Sequence, residues 1–96
     1  MSAYLIVDTQ IKNPEQYEQY KALARPIAEQ YGGIYRARGG EMDVLETDLW
    51  TPTRIVIIEF PDMDSARAFA NSPEYAPVKP LRTDNAKCTL AIVDGL

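Results

Sequence analysis

The chain has 96 residues, enough for one small core but not for two, so residues 1–96 are expected to form a single domain. With 10 basic against 14 acidic residues, a net charge of −4 and no basic block, it is a poor match for a nucleic-acid or anionic-membrane surface. It contains no histidine, which excludes Ser-His-Asp and Cys-His catalysis, the HExxH zinc motif and a His-ligated haem.

The single cysteine, Cys88, rules out an intrachain disulfide and fits a reducing compartment. No window approaches about 18 consecutive apolar residues, and Met1-Ser2-Ala3-Tyr4 lacks a basic segment leading into an apolar run. The expectation is a cytoplasmic protein with no membrane contact.

Ala3 to Ile11, "AYLIVDTQI", is rich in β-formers and predicts a strand. "NPEQ" then opens a helix: Asn13 caps, Pro14 takes the first position where its missing N–H is harmless, and Gln16 can close a capping box. Tyr17, Tyr20, Ala24, Ile27 and Tyr31 recur at helical spacing and define its inner face. Pro26 should kink it, and Gly32 ends it.

Gly33 releases the chain into the strand "IYRAR", where alternation puts Ile34, Arg36 and Arg38 on one face and Tyr35 and Ala37 on the other. Gly39-Gly40 is expected to bend or bulge the chain before a further extended segment, "EMDVLE". After "TDLWTP", the run "TRIVIIEF" is the clearest strand, stopped by Pro61. Asp62 or Asp64 caps a second helix with Met63, Ala66, Phe69 and Ala70 inside. Ser72 and Pro73 restart a helical turn that Pro77 and Pro80 keep short, and "KCTLAIVDGL" is the last strand.

The order βαββαβ predicts an α+β, ferredoxin-like sandwich: an antiparallel sheet with helices on one side. Both faces of that sheet are apolar. Ile55 and Ile57 oppose Val56, Ile58 and Phe60, while Cys88, Leu90 and Ile92 oppose Ala91 and Val93. Helices cover one face only, and the other would exceed the patch a small monomer tolerates. The expectation is a homodimer joined through the open sheet face, two sheets closing a barrel-like α/β assembly.

The stretches "NPEQYEQYKALARPIAEQYGGIYRARGG", "VLE", "WTPTRIVIIEFPDMDSARAFANSPEY" and "PLR" resemble the domain-of-unknown-function family thirteen-thirty, of the dimeric α/β barrel superfamily. The resemblance spans nearly the whole chain and implies the same ferredoxin-like dimer. Its superfamily includes cofactor-independent oxygenases, lactone isomerases, haem enzymes and ligand-binding proteins, so it does not choose an activity.

The glycine pairs are turn residues. Phosphate loops place glycines between a strand and a helix, whereas these flank a strand, and neither GxGxxG nor GxxxxGK[ST] is present. Arg38, beside the glycine bend and within the family's "RGG" element, is the candidate clamp for a carboxylate or other oxyanion. Arg36 reads as a solvated or ion-paired neighbour.

Glu46 and Glu59 each end a β run and are either acid–base groups or partners of Arg54 and Arg38. Trp50 is either a core or dimer contact or a wall of a ligand pocket. Tyr17 and Tyr20 read as core residues whose hydroxyls need partners, and Tyr75 and Arg82 form a second polar group, with Ser72 a cap. Asp43, Glu46 and Asp48 lack metal-ligand spacing.

These residues suggest a small acidic or aromatic metabolite held between sheet and helices by Tyr20, Arg38, Trp50 and Tyr75. Glu46 is the candidate acid or base of an isomerase or cofactor-free oxygenase, and no cofactor or metal is called for. The alternative is a non-enzymatic binding or regulatory homodimer. RNA binding, suggested by the βαββαβ order alone, ranks last because "TRIVIIEF" lacks stacking aromatics.

Overall fold

The computed structural model describes residues 1–96. In chain order the elements are β1 (Ala3–Ile11), α1 (Pro14–Gln30), β2 (Ile34–Arg38), β3 (Ile55–Phe60), α2 (Met63–Ala70), α3 (Lys79–Thr83) and β4 (Ala86–Asp94). The strands form one antiparallel sheet in the order β2-β3-β1-β4. Within one chain this sheet is open and does not close into a barrel.

Register decides which side chains meet. Leu5 pairs with Ile58 and Ile92, and Val7 with Val56 and Leu90, all on the helix-covered face. Together with Ala24 and Ala28 of α1, Ala66 and Phe69 of α2, and Tyr75 and Val78, these strands build the core. Alanines one turn apart let α1 approach the sheet closely, and Phe69 sits at the centre of the aromatic packing, 5.5 Å from Phe60 and 4.8 Å from Tyr75 between ring centroids. The opposite face presents Ile6 against Ile57 and Ala91, with Ile34 and Val93 half-exposed.

The helix ends follow the capping signals. The Asn13 carboxamide oxygen accepts from Gln16 N at 3.4 Å, but the reciprocal half of the expected capping box is replaced: Asn13 N–H donates to the Asn85 carbonyl. Asp62 caps α2 by accepting from Ser65 N at 2.7 Å. Pro26 deprives the Ala22 carbonyl of its helical donor, yet α1 runs unbroken to Gln30. At its end Gly32 N–H donates to Glu29 and Gly33 N–H to Ala28, a Schellman motif that needs the left-handed φ of +88° at Gly32.

Three expectations are corrected. The segment Glu41 to Glu46 is not extended sheet: 39–54 is an irregular connection, so Glu46 ends no strand. The bulge falls between Tyr35 and Ala37 rather than at Gly39-Gly40. Strict alternation therefore fails at Arg38, which pairs with Val56 and joins Tyr35 on the helix-covered side instead of sharing the outer face with Ile34.

Replacing Gly32 by Ala places a Cβ at positive φ, 3.0 Å from Pro61, and should destabilise the fold by about 1–2 kcal/mol. Gly40→Ala meets open space and should change stability by less than about 0.5 kcal/mol. Urea unfolding of the two variants checks this, and equal effects would refute the role given to Gly32.

Candidate functional site

Between α1 and the sheet lies a cavity with an enclosed volume of about 30 Å³, inside a depression of about 470 Å³ counted out to open solvent. The enclosed part holds only a water or two. A larger ligand requires the rim side chains to move. Leu5, Val7, Val56, Ile58, Phe69 and Leu90 make its apolar floor. Its polar groups are four tyrosines, Tyr17, Tyr20, Tyr35 and Tyr75, and three cations, Lys21, Arg38 and Arg54. No carboxylate lines it.

Each rim cation has a different support. Lys21 is committed to Glu18 at 2.7 Å. Arg38, delivered by the bulge, lies over the Tyr35 ring at 5.7 Å, and Arg54 over the Tyr17 ring at 5.8 Å. Neither arginine is in an ion pair. Gly39, at φ +69°, leaves the space that Arg54 fills: a Cβ there would stand 2.5 Å from Arg54 Nε. The second requirement for glycine in "RGG" is thus a close approach to a side chain rather than to a phosphate.

Arg54 is also held from the far side of the sheet. Asp8 Oδ1 accepts from Thr53 N and Arg54 N, both at 2.9 Å, and Asp8 Oδ2 accepts from Trp50 Nε1 at 3.0 Å. Desolvation pushes the Asp8 carboxyl up, but these bonds to its charged form outweigh it and leave it below the ordinary carboxylate range. Asp8 sits in a run of β-formers, and its signal in the sequence was being the only charged residue of that strand.

At the inner end, Arg82 is buried, with 6 % of its surface exposed, and no carboxylate pairs with it. Its Nε donates to Tyr75 Oη at 3.2 Å, and Tyr75 Oη lies 2.8 Å from Tyr20 Oη. Burying a cation without an acid costs on the order of several kcal/mol before such bonds offset it. Burial pushes the Tyr20 phenol far up, with Tyr75 adding to the shift, and burial likewise raises Tyr17 and Tyr35. These phenols are hydrogen-bond donors at neutral pH, not bases.

The structure thus brings together Tyr20, Arg38 and Tyr75. Trp50 stands apart, half-exposed on the open sheet face beside Asp8. Glu46 is exposed on the 39–54 connection, in a groove with Val44, Leu45 and Pro52. Glu59 accepts from Arg36 Nε at 2.8 Å and Ser2 Oγ at 2.6 Å on the outer face, so its partner is Arg36 and not Arg38 or Arg54. Tyr35 and Arg54 were missed as cavity residues. The aromatic after Ile34 and the cation near the start of "TRIVIIEF" were their only signals.

Residues 2–96 match the model of the family described as Domain of unknown function (DUF1330). The chain belongs to this family. Among solved structures, it is similar to a dimeric ferredoxin-like protein of unknown function from Jannaschia sp. CCS1, with 13% identity and TM-score 0.75 over 99% of this chain and 100% of that one. It is also similar to a protein of unknown function from Rhodopseudomonas palustris, at 16% identity and TM-score 0.74 over 99% and 82%. A third, SnoaB, a cofactor-independent oxygenase from Streptomyces nogalater, has 10% identity and TM-score 0.67 over 99% and 93%. At such identities the likeness shows the ferredoxin-like fold. No curated protein matches, and no helix of this DUF1330 chain is long and apolar enough to cross a membrane.

Because the Asp8 carboxyl is lowered in the folded state, its contribution is full above its unfolded value and is lost as pH falls through the folded one. The stability difference between wild type and Asp8→Asn should be largest near neutral pH and shrink once pH drops below about 4. Urea unfolding across pH checks this, and a difference independent of pH would contradict it.

Proposed function

We propose that this DUF1330 protein binds a small organic anion in the cavity between α1 and the sheet. The observation that carries the reading is the cavity's charge: Arg38 and Arg54 without ion pairs, Lys21 beside them and no carboxylate in the lining, in a chain whose net charge is −4. A cationic, partly apolar recess in an acidic protein attracts an anion with an aromatic or aliphatic body. Arg38 and Arg54 clamp a carboxylate, and Tyr20 and Tyr75 supply hydroxyls.

The same lining favours binding over acid–base turnover. With no histidine, no carboxylate and only protonated phenols, it offers no general base. Glu46 has no part in this reading. SnoaB, described as a cofactor-independent oxygenase, shares the frame, and an oxygenation here would have to rely on stabilising an anionic substrate rather than on a protein base.

The protein acts as a homodimer joined through the open sheet face. Ile6, Ile57, Ala91 and Val93 form that face, the half-exposed Trp50 borders it, and the Jannaschia relative is described as dimeric. Trp50 then serves the contact between copies. A reducing, cytoplasmic setting accords with the free Cys88.

Light scattering at micromolar concentration should give twice the chain mass, and a monomer would overturn the dimer. In thermal unfolding against small aromatic and aliphatic carboxylates, a ligand at about 100 times its Kd should add about 2.7 kcal/mol. That corresponds to a Tm rise of roughly 10–20 °C for a domain this small. Arg38→Ala should lose most of that rise, and no rise with any carboxylate would overturn the binding reading.

A further inference from the structure

From the hydrogen-bond chain at the inner end of the cavity we infer that Tyr20, Tyr75 and Arg82 form an oxyanion site for the ionised hydroxyl of a phenol or enol. This rests on the anion-binding reading above and narrows its ligand class to hydroxy-aromatic or enolic carboxylates, hydroxyl inward and carboxylate at the Arg38 and Arg54 rim.

One direction in the chain follows from counting donors and acceptors: Arg82 Nε can only donate, so Tyr75 Oη accepts from it. Tyr75 Oη lies 2.8 Å from Tyr20 Oη, and either hydroxyl can donate to the other. The pair holds two protons and shares one bond, so whichever donates leaves the other's proton without an acceptor in the protein, and both side chains line the cavity.

The arrangement is a donor backed by a buried cation. Arg82 polarises Tyr75 and, through it, the tyrosine pair, so negative charge on an oxygen bound by the pair's free proton is stabilised. The field of Arg82 reaches the Tyr20 hydroxyl directly, acting to lower its phenol against the larger effect of burial. The other charged groups that line the cavity, Lys21, Arg38 and Arg54, are cations, with Glu18 held against Lys21 at 2.7 Å beside the rim. A structural core pair would be served equally well by a neutral residue at position 82. A buried cation whose hydrogen bond to Tyr75 leads toward a cavity fits a ligand.

The test uses 4-nitrophenol, whose ionisation is visible by absorbance, and 4-nitrobenzoate, which has a carboxylate and no hydroxyl. Nitrophenol bound to the wild-type protein should ionise at lower pH than the free compound. Tyr20→Phe and Tyr75→Phe, which alter no charge, should reduce phenolate affinity on the order of tenfold and remove that displacement. Both should weaken 4-nitrobenzoate by a much smaller factor than nitrophenolate, whereas Arg38→Ala should weaken 4-nitrobenzoate and keep the displacement. If nitrobenzoate binds and nitrophenol does not, or if Tyr20→Phe ionises bound nitrophenol like the wild type, the oxyanion site is refuted while the carboxylate-binding cavity stands. If neither compound binds, the cavity reading and this inference both fall.

Discussion

Arg82 carries a full charge into the interior with two tyrosines and no carboxylate to meet it. The desolvation of a guanidinium is among the larger unfavourable terms a small domain can hold, against a total stability of about 5–15 kcal/mol. Its compensation comes from neutral dipoles. The short α3 presents Arg82, the Ser72-capped turn presents Tyr75, and α1 presents Tyr20. Three elements are therefore aligned by one polar chain, and that chain ends at the cavity.

The rim is set by backbone devices. One extra residue in β2 turns Arg38 toward the helices, Gly39 makes room for Arg54, and Asp8 fastens the 53–54 backbone from the opposite face of the sheet. Asp8 also holds Trp50, which borders the face proposed for the second copy. The proposed dimer contact and the placement of Arg54 thus share a carboxylate, so a change on the outer face can reach the cavity without touching it.

The element order, most strand limits, both helix caps and the two apolar faces were legible because they depend on local chemistry: β-branched runs, Asn13 and Asp62 before helices, and Gly32 after one. The family was legible from "RARGG" and "SPEY". Arg38 was assigned to the wrong face, since a bulge leaves no mark in an alternation pattern and is settled by pairing with β3. Glu46 was attached to a strand that does not form, because "DVLE" carries β-formers but finds no partner edge. Arg54 and Asp8 meet only through sheet register between residues far apart in sequence, and no local spacing encodes that.

The central claim is that this DUF1330 cavity holds an organic anion between the arginine rim and the tyrosine chain. A crystal structure of the dimer with 4-hydroxybenzoate tests it most directly. The carboxylate is expected on Arg38 and Arg54, and the phenolic oxygen within hydrogen-bond distance of Tyr20 or Tyr75 Oη. Density on the open sheet face, or an unchanged cavity at saturating ligand, would contradict it.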